Sequence, residues 1–259
     1  MIPRTVVQTA ESRSLPDEIV EARRAMMESN PDWTFLFFDA GDREDFILDA
    51  FGAGMLATYR SIDERYGAAR ADLFRYLYIY EKGGVYIDVK SRFDLPISQA
   101  IGMEDDFIVS QWRNGQGDDF PSFGLHRELS HIPGGEFQQW HVIAKPHHPF
   151  LEAVIDAVAR NVATYGVWRH GLGRTGVQRV TGPIAYTLAI APLLPEVPHR
   201  RISSERDIGL RFSVLTGGMG RHYSEIRKPV VRGGMLGSVS ASTYNLVRAT
   251  RAALSSLAC

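Results

Sequence analysis

The sequence predicts one α/β domain, residues 1–259, built on a mostly parallel sheet flanked by helices. Three observations predict it. Apolar runs at Thr5–Thr9 and Trp33–Phe38 enclose a segment with helical spacing. That is a β-α-β unit, whose connection implies parallel strands. A long apolar helix pattern from Arg70 onward meets Gly83-Gly84 and passes directly into an alternating stretch, Val85 to Lys90. Finally, no internal repeat or low-complexity linker divides the chain.

The elements follow in order. Thr5–Thr9 reads as a short buried strand. Leu15-Pro16 opens a helix, with proline tolerated in its first turn, and Ile19, Ala22, Met26 and Met27 keep helical spacing until Asn30-Pro31 stops it. Trp33–Phe38 is the second strand and closes on Asp39. That position is a cap or loop residue, or a ligand contact at the carboxyl end of a strand. Two short helices, 42–51 and 55–66, flank Gly52-Ala53-Gly54. The helix from Arg70 has almost no polar face, yet it carries Asp72 and Arg75 three residues apart on one side. Buried charges need partners. The two either pair with each other or open onto a site near Asp88. In the strand that follows, Val85, Ile87 and Val89 face one way, and Tyr86, Asp88 and Lys90 the other.

Later elements are an Asp94–Ile97 turn, a strand at 106–112 after the solvated acidic run Glu104-Asp105-Asp106, and a glycine-rich loop at 113–138 suited to acceptor recognition. A strand at 137–144 and a helix carrying Phe150, Val154 and Val158 come next. Arg169–Gly176 reads as a surface loop with a phosphate-cradling flavour but no Walker pattern. Thr181-Gly182-Pro183 starts a helix, whose free N–H groups favour anions. A late strand at 210–215 precedes a C-terminal helix from Ser240, in which Arg248 and Arg251 could rest on anionic lipid.

Composition sets the bounds. Hydrophobic residues make up 44% and charged residues 23% of 259, enough for a large soluble core. A net charge of −1 argues against general nucleic-acid binding. The one cysteine, Cys259, permits no intramolecular disulfide and fits a reducing compartment. The longest apolar stretch is too short to cross a bilayer, and no signal peptide is visible. A cytoplasmic protein is expected, with peripheral contact at the inner face of a membrane as an option. The spacing of His126, His131, His141, His147 and His148 matches no zinc pattern.

Arg70-Ala71-Asp72-x-x-Arg75-Tyr76, followed by Gly83-Gly84-Val85-Tyr86-x-Asp88, resembles the core of the family 32 glycosyltransferases. These sugar-transfer enzymes carry an Asp-x-Asp motif. They are similar to yeast-type initiating mannosyltransferases and distantly to clostridial glucosylating toxins. The resemblance implies a GT-A, Rossmann-like fold and a nucleotide diphosphate sugar donor. It also implies transfer of a hexose, with retention, to a glycan or lipid-linked glycan hydroxyl in polysaccharide or glycoconjugate synthesis. By motif match, Asp72 and Arg75 hold the donor sugar, Asp88 holds the diphosphate and a divalent Mn or Mg ion, and Arg70 supports the pocket. Gln8 and Thr9 match the start of the nucleotide-binding half. Asp39, Tyr86, Thr181 and Gly182 fall at further donor-side positions. His222 and Ser238 lie where the family places a C-terminal metal or phosphate contact.

The sequence departs from this pattern at Lys90, which stands at the second acidic position, and at Val239, which replaces a tryptophan. A protonated lysine repels a metal but neutralises a diphosphate directly. Either Lys90 replaces the metal's electrostatic work, the reading preferred here, or Asp88 and the phosphates still hold a metal. A non-catalytic nucleotide-sugar or glycan-binding module with a degenerate metal site is the alternative function. A nucleotidyltransferase is a further rival.

Overall fold

The structure is a computed structural model that describes residues 1–215, 225–233, 241–245 and 247. Strand β1 (Thr5–Thr9) leads through α1 (Asp17–Glu28) to β2 (Thr34–Phe38). Helices α2 (Ala40–Ser61) and α3 (Gly67–Lys82) then connect β2 to β3 (Gly84–Ile87). After these come β4 (Arg92–Phe93), α4 (Ile97–Ala100), β5 (Phe107–Val109) and β6 (His141–Ala144). Helices α5 (Pro149–Ala163), α6 (Val167–His170), α7 (Gly173–Val180) and α8 (Pro183–Ile190) precede β7 (Arg200–Arg201) and β8 (Leu210–Arg211).

Six strands form one sheet in the order β2-β1-β3-β6-β5-β7, and three of its five neighbouring pairs are parallel. β6 runs against both of its neighbours. β1 lies between β2 and β3, so the chain leaves β1 toward one side and later returns to the other. The carboxyl ends of β1 and β3 therefore open a crevice at a topological switch point. One face of the sheet packs on α2, α3, α5, α7 and α8 through a core that includes Tyr59, Phe74, Tyr76, Phe150 and Tyr186. The other face packs on α1 and α4 through Met26, Ile97, Ile108 and Ile143. Among the described residues, no helix is long and apolar enough to cross a membrane.

Local chemistry explains the helices that position the site. Asp39 caps α2, accepting from the Gly41 and Asp42 backbone N–H groups, and Asp42 returns the contact to the Asp39 N–H. Gly52, at φ 76° and ψ 179°, breaks α2 between the two helices expected there. α3 buries ten of its residues, including Asp72 and Arg75. Gly83 ends it at φ 68°, where a Cβ would lie 2.6 Å from the Pro146 ring and 2.8 Å from the Pro3 ring.

The structure corrects several expectations. β3 stops at Ile87, and Asp88–Ser91 is a turn closed by the Ser91 N–H on the Asp88 carbonyl at 2.8 Å. The Lys90 carbonyl and Ser91 hydroxyl bond to Val214 and Phe212, which draws the chain out of the sheet. Asp88 and Lys90 therefore share a turn rather than a strand face. Both faces of β3 are buried: Tyr86 enters one core cluster, Val85 and Ile87 the other. Arg169–Gly176 is not a surface loop but the junction of α6 and α7, with residues 170–173 buried. Asp105 is not solvated. It is buried, accepting from the Gly102 N–H at 2.7 Å and pairing with Arg200 at 3.1 Å. The late strand shortens to β8, which pairs with β4, an element not expected from the sequence.

Candidate active site

A cleft of about 720 Å³ opens at the switch point. Thr9, Ala10 and Glu11 from the end of β1, Asp72 and Arg75 from α3, and Tyr86 and Asp88–Lys90 from the end of β3 all line it. Arg75 is its hub. The guanidinium contacts Asp72 Oδ1 and Asp88 Oδ1, each at 3.1 Å, and both Arg75 and Asp72 are buried. It also donates to the Gln139 backbone carbonyl at 2.6 Å and side-chain oxygen at 3.0 Å, and lies over the Tyr86 ring at 4.5 Å. Tyr86 donates its hydroxyl to Asp88 Oδ1 at 3.2 Å. Asp72 accepts from the Thr181 hydroxyl at 2.8 Å and the Gln139 amide at 3.3 Å. The internal pair and the shared site are thus one arrangement, not two.

Burial pushes the Asp72 carboxyl up to about 6, against the opposing pull of Arg75 and the Thr181 hydroxyl. Burial works to lower Arg75, but its electrostatic interactions with Tyr86, Asp88 and Asp72 outweigh this and hold the guanidinium above its ordinary value. Tyr86 is raised by burial and stays a neutral donor.

The described residues do not fit a divalent ion held by protein alone. One Asp88 oxygen is taken by Arg75 and Tyr86, which leaves a single free carboxylate oxygen. The next acidic position is Lys90, whose ammonium lies over the Phe212 ring at 4.6 Å. Among the described residues, no group of three or more His, Cys, Asp or Glu could hold a metal. His222 and Ser238 lie outside the described residues.

Residues 16–108, the stretch that delivers α3, Asp88 and Lys90, match the family described as glycosyltransferase sugar-binding region containing DXD motif. Over that stretch the chain is similar to this glycosyltransferase family. It is similar to the mannosyl phosphorylinositol ceramide synthase of Saccharomyces cerevisiae, 30% identical over 89 residues, 34% of this chain and 23% of that protein. It is also similar to an inositol phosphoceramide mannosyltransferase of Schizosaccharomyces pombe, 21% identical over 218 residues, 80% of this chain and 53% of that protein. The chain therefore spans between about a quarter and about half the length of these relatives. A solved structure, the PaToxG glycosyltransferase, superposes with a TM-score of 0.53 at 15% identity, covering 75% of this chain and 70% of that one. That likeness concerns the fold, and the GT-A-like expectation holds.

Asp72, Arg75, Tyr86, Asp88 and Lys90, all within the matched stretch, come together in the cleft with Thr9, which precedes it. Thr181 reaches Asp72 from the buried side, and Gly182 sits behind Pro183, which lines the cleft. Gln8 lies beneath the Asp88 turn, donating to the Asp88 and Ser91 carbonyls at 3.3 and 3.4 Å while accepting from Arg23. Arg70 is turned onto the Ile62 carbonyl at 3.0 Å, and Asp39 stays a helix cap bound by Arg13 at 3.1 Å. Neither of these two lines the cleft. Sequence reasoning did not name Gln139, Arg43, Glu11, Arg174 or the His126–Glu136 pair as site residues. Arg174 had a signal in the Gly-and-Arg composition of its segment, and the pair had one in the glycine-rich loop that carries it; Gln139, Arg43 and Glu11 had none.

Proposed function

We propose that this protein moves a hexose from a nucleotide diphosphate sugar to a hydroxyl of a glycan or lipid-linked glycan, with retention of anomeric configuration. The observation that carries the proposal is the single guanidinium, Arg75, holding Asp72 and Asp88 together in the wall of one cleft. Asp72 accepts hydrogen bonds from donor sugar hydroxyls through the lone pairs that Thr181 and Gln139 leave free. As the anomeric C–O bond breaks and the acceptor oxygen bonds to that carbon, releasing its proton from the cleft to solvent, negative charge gathers on the leaving diphosphate. Two cleft-lining cations, Lys90 and Arg174, have no carboxylate partner among the described residues. They stand ready to take that charge without a metal. The protein is proposed to work in the cytoplasm, with peripheral contact at the inner face of a membrane where the acceptor is lipid-linked. The names of the yeast relatives make a mannosyl nucleotide the first donor to try.

Turnover with a panel of nucleotide sugars tests this. Asp72→Ala and Asp88→Ala should each lower turnover by roughly a hundredfold or more, with melting temperatures that show the fold intact. Excess chelator should leave wild-type turnover in place. Full loss restored by manganese rejects metal independence, and wild-type rates in either variant reject the site.

A further inference from the structure

The 113–138 loop carries a buried carboxylate to which the proposed donor contacts assign no role. Glu136 is 4% exposed and lies in the cleft wall. Its Oε1 accepts from the Trp112 indole N–H at 2.8 Å, and its Oε2 meets His126 Nε2 at 2.6 Å. The Glu136 backbone N–H donates to the Gly124 carbonyl at 3.0 Å, which fixes the carboxylate from behind. No lysine or arginine pairs with Glu136 among the described residues. Such a group is costly to bury unless its partners are held in one geometry.

That contact selects between the two neutral tautomers of His126: a carboxylate that only accepts takes the Nε2–H, and in the neutral ring the lone pair is then on Nδ1. His126 lines the cleft, and its Nδ1 makes no hydrogen bond among the described residues. Beside it stands an aromatic wall. Trp112 meets Phe120 and Phe123, each at 4.8 Å, and Phe212 at 5.1 Å, and Phe212 continues to Trp140 at 5.2 Å. Apolar walls with one or two placed polar groups suit ligands with an apolar face and a polar rim. A pyranose has both: a C–H face and a rim of hydroxyls. A serine or threonine hydroxyl brings no ring face.

We infer that His126, oriented by Glu136 and Trp112, accepts the hydrogen bond of the attacking hydroxyl on a sugar ring stacked against this wall. This makes the loop the acceptor subsite of the same cleft, and it rests on the glycosyl-transfer reading for its donor. His126 touches the acceptor; Glu136 and Trp112 are positioning residues.

The test uses the full chain and the methyl pyranosides of mannose, glucose and galactose as probes. In spectra of ring-labelled histidines, at least one probe should move the His126 signal, while the exposed His131 and His147 stay in place. Glu136→Gln, whose amide imposes the other tautomer, should abolish that movement. With a turned-over donor, His126→Ala and Glu136→Gln should lower the ratio of transfer to donor hydrolysis by about tenfold or more. A still His126 signal with all three probes, or an unchanged ratio in His126→Ala, overturns the assignment. Sugar contact at His126 with no donor turnover would instead count against the donor reading alone.

Discussion

Arg75 serves two carboxylates at once, so the protonation of Asp72 governs both the charge of the cleft and the fold around it. Burial raises this carboxyl to about 6. Between about pH 4 and 6 the native chain keeps a proton that the unfolded chain has released, so the stability from this group falls as pH rises through that window. Binding runs the other way, because only the ionised group above about pH 6 has full accepting capacity toward sugar hydroxyls. Donor affinity by titration calorimetry is therefore expected to weaken as pH drops below about 6, and to lose that inflection in Asp72→Asn. Affinity that is level from pH 5 to 8 would contradict this. Asp72 and Arg75 were legible because two charges on a helix without a polar face demand an explanation. Gln139 was not, since it follows Gln138 and nothing local says which of the two faces the site. In the fold Gln138 turns to Glu205 at 2.7 Å, while Gln139 bridges Arg75 and Asp72.

At the scale of elements, two glycines set how α2 and α3 deliver the site, and they differ in a measurable way. Gly52 has the backbone angles of a glycine-only region but open space where a Cβ would sit. Gly52→Ala should cost only the backbone strain, roughly 1–3 kcal/mol. Gly83 adds steric collision with Pro3 and Pro146, so Gly83→Ala should cost more in the same denaturant titration. Equal costs would mean that the packing behind Gly83 yields freely. Both stops were readable, because glycine pairs interrupt strong periodicity. The turn at Asp88–Ser91 was not. Alternation continues through Lys90 in the sequence, and the hydrogen bonds that bend the chain come from Gln8, Phe212 and Val214, far away along it. α6 and α7 escaped notice for a related reason: with four and eight residues, bounded by glycines, they hold too few turns to show a period.

For the whole molecule, the β-α-β start announced parallel strands but not the side on which β3 would return. That choice, with β1 central among β2, β1 and β3, creates the crevice and turns two separate motifs into one site. It also brings the late residues Arg174, Phe212 and Pro183 to a cleft founded on the first hundred. The most direct measurement is a crystal structure of the chain with a turned-over nucleotide sugar, or its nucleotide diphosphate, bound. The diphosphate should lie against Lys90 and Arg174, with the sugar against Asp72 and the Arg75-bound Asp88. A nucleotide bound elsewhere on the surface, with this cleft empty of it, would contradict the account.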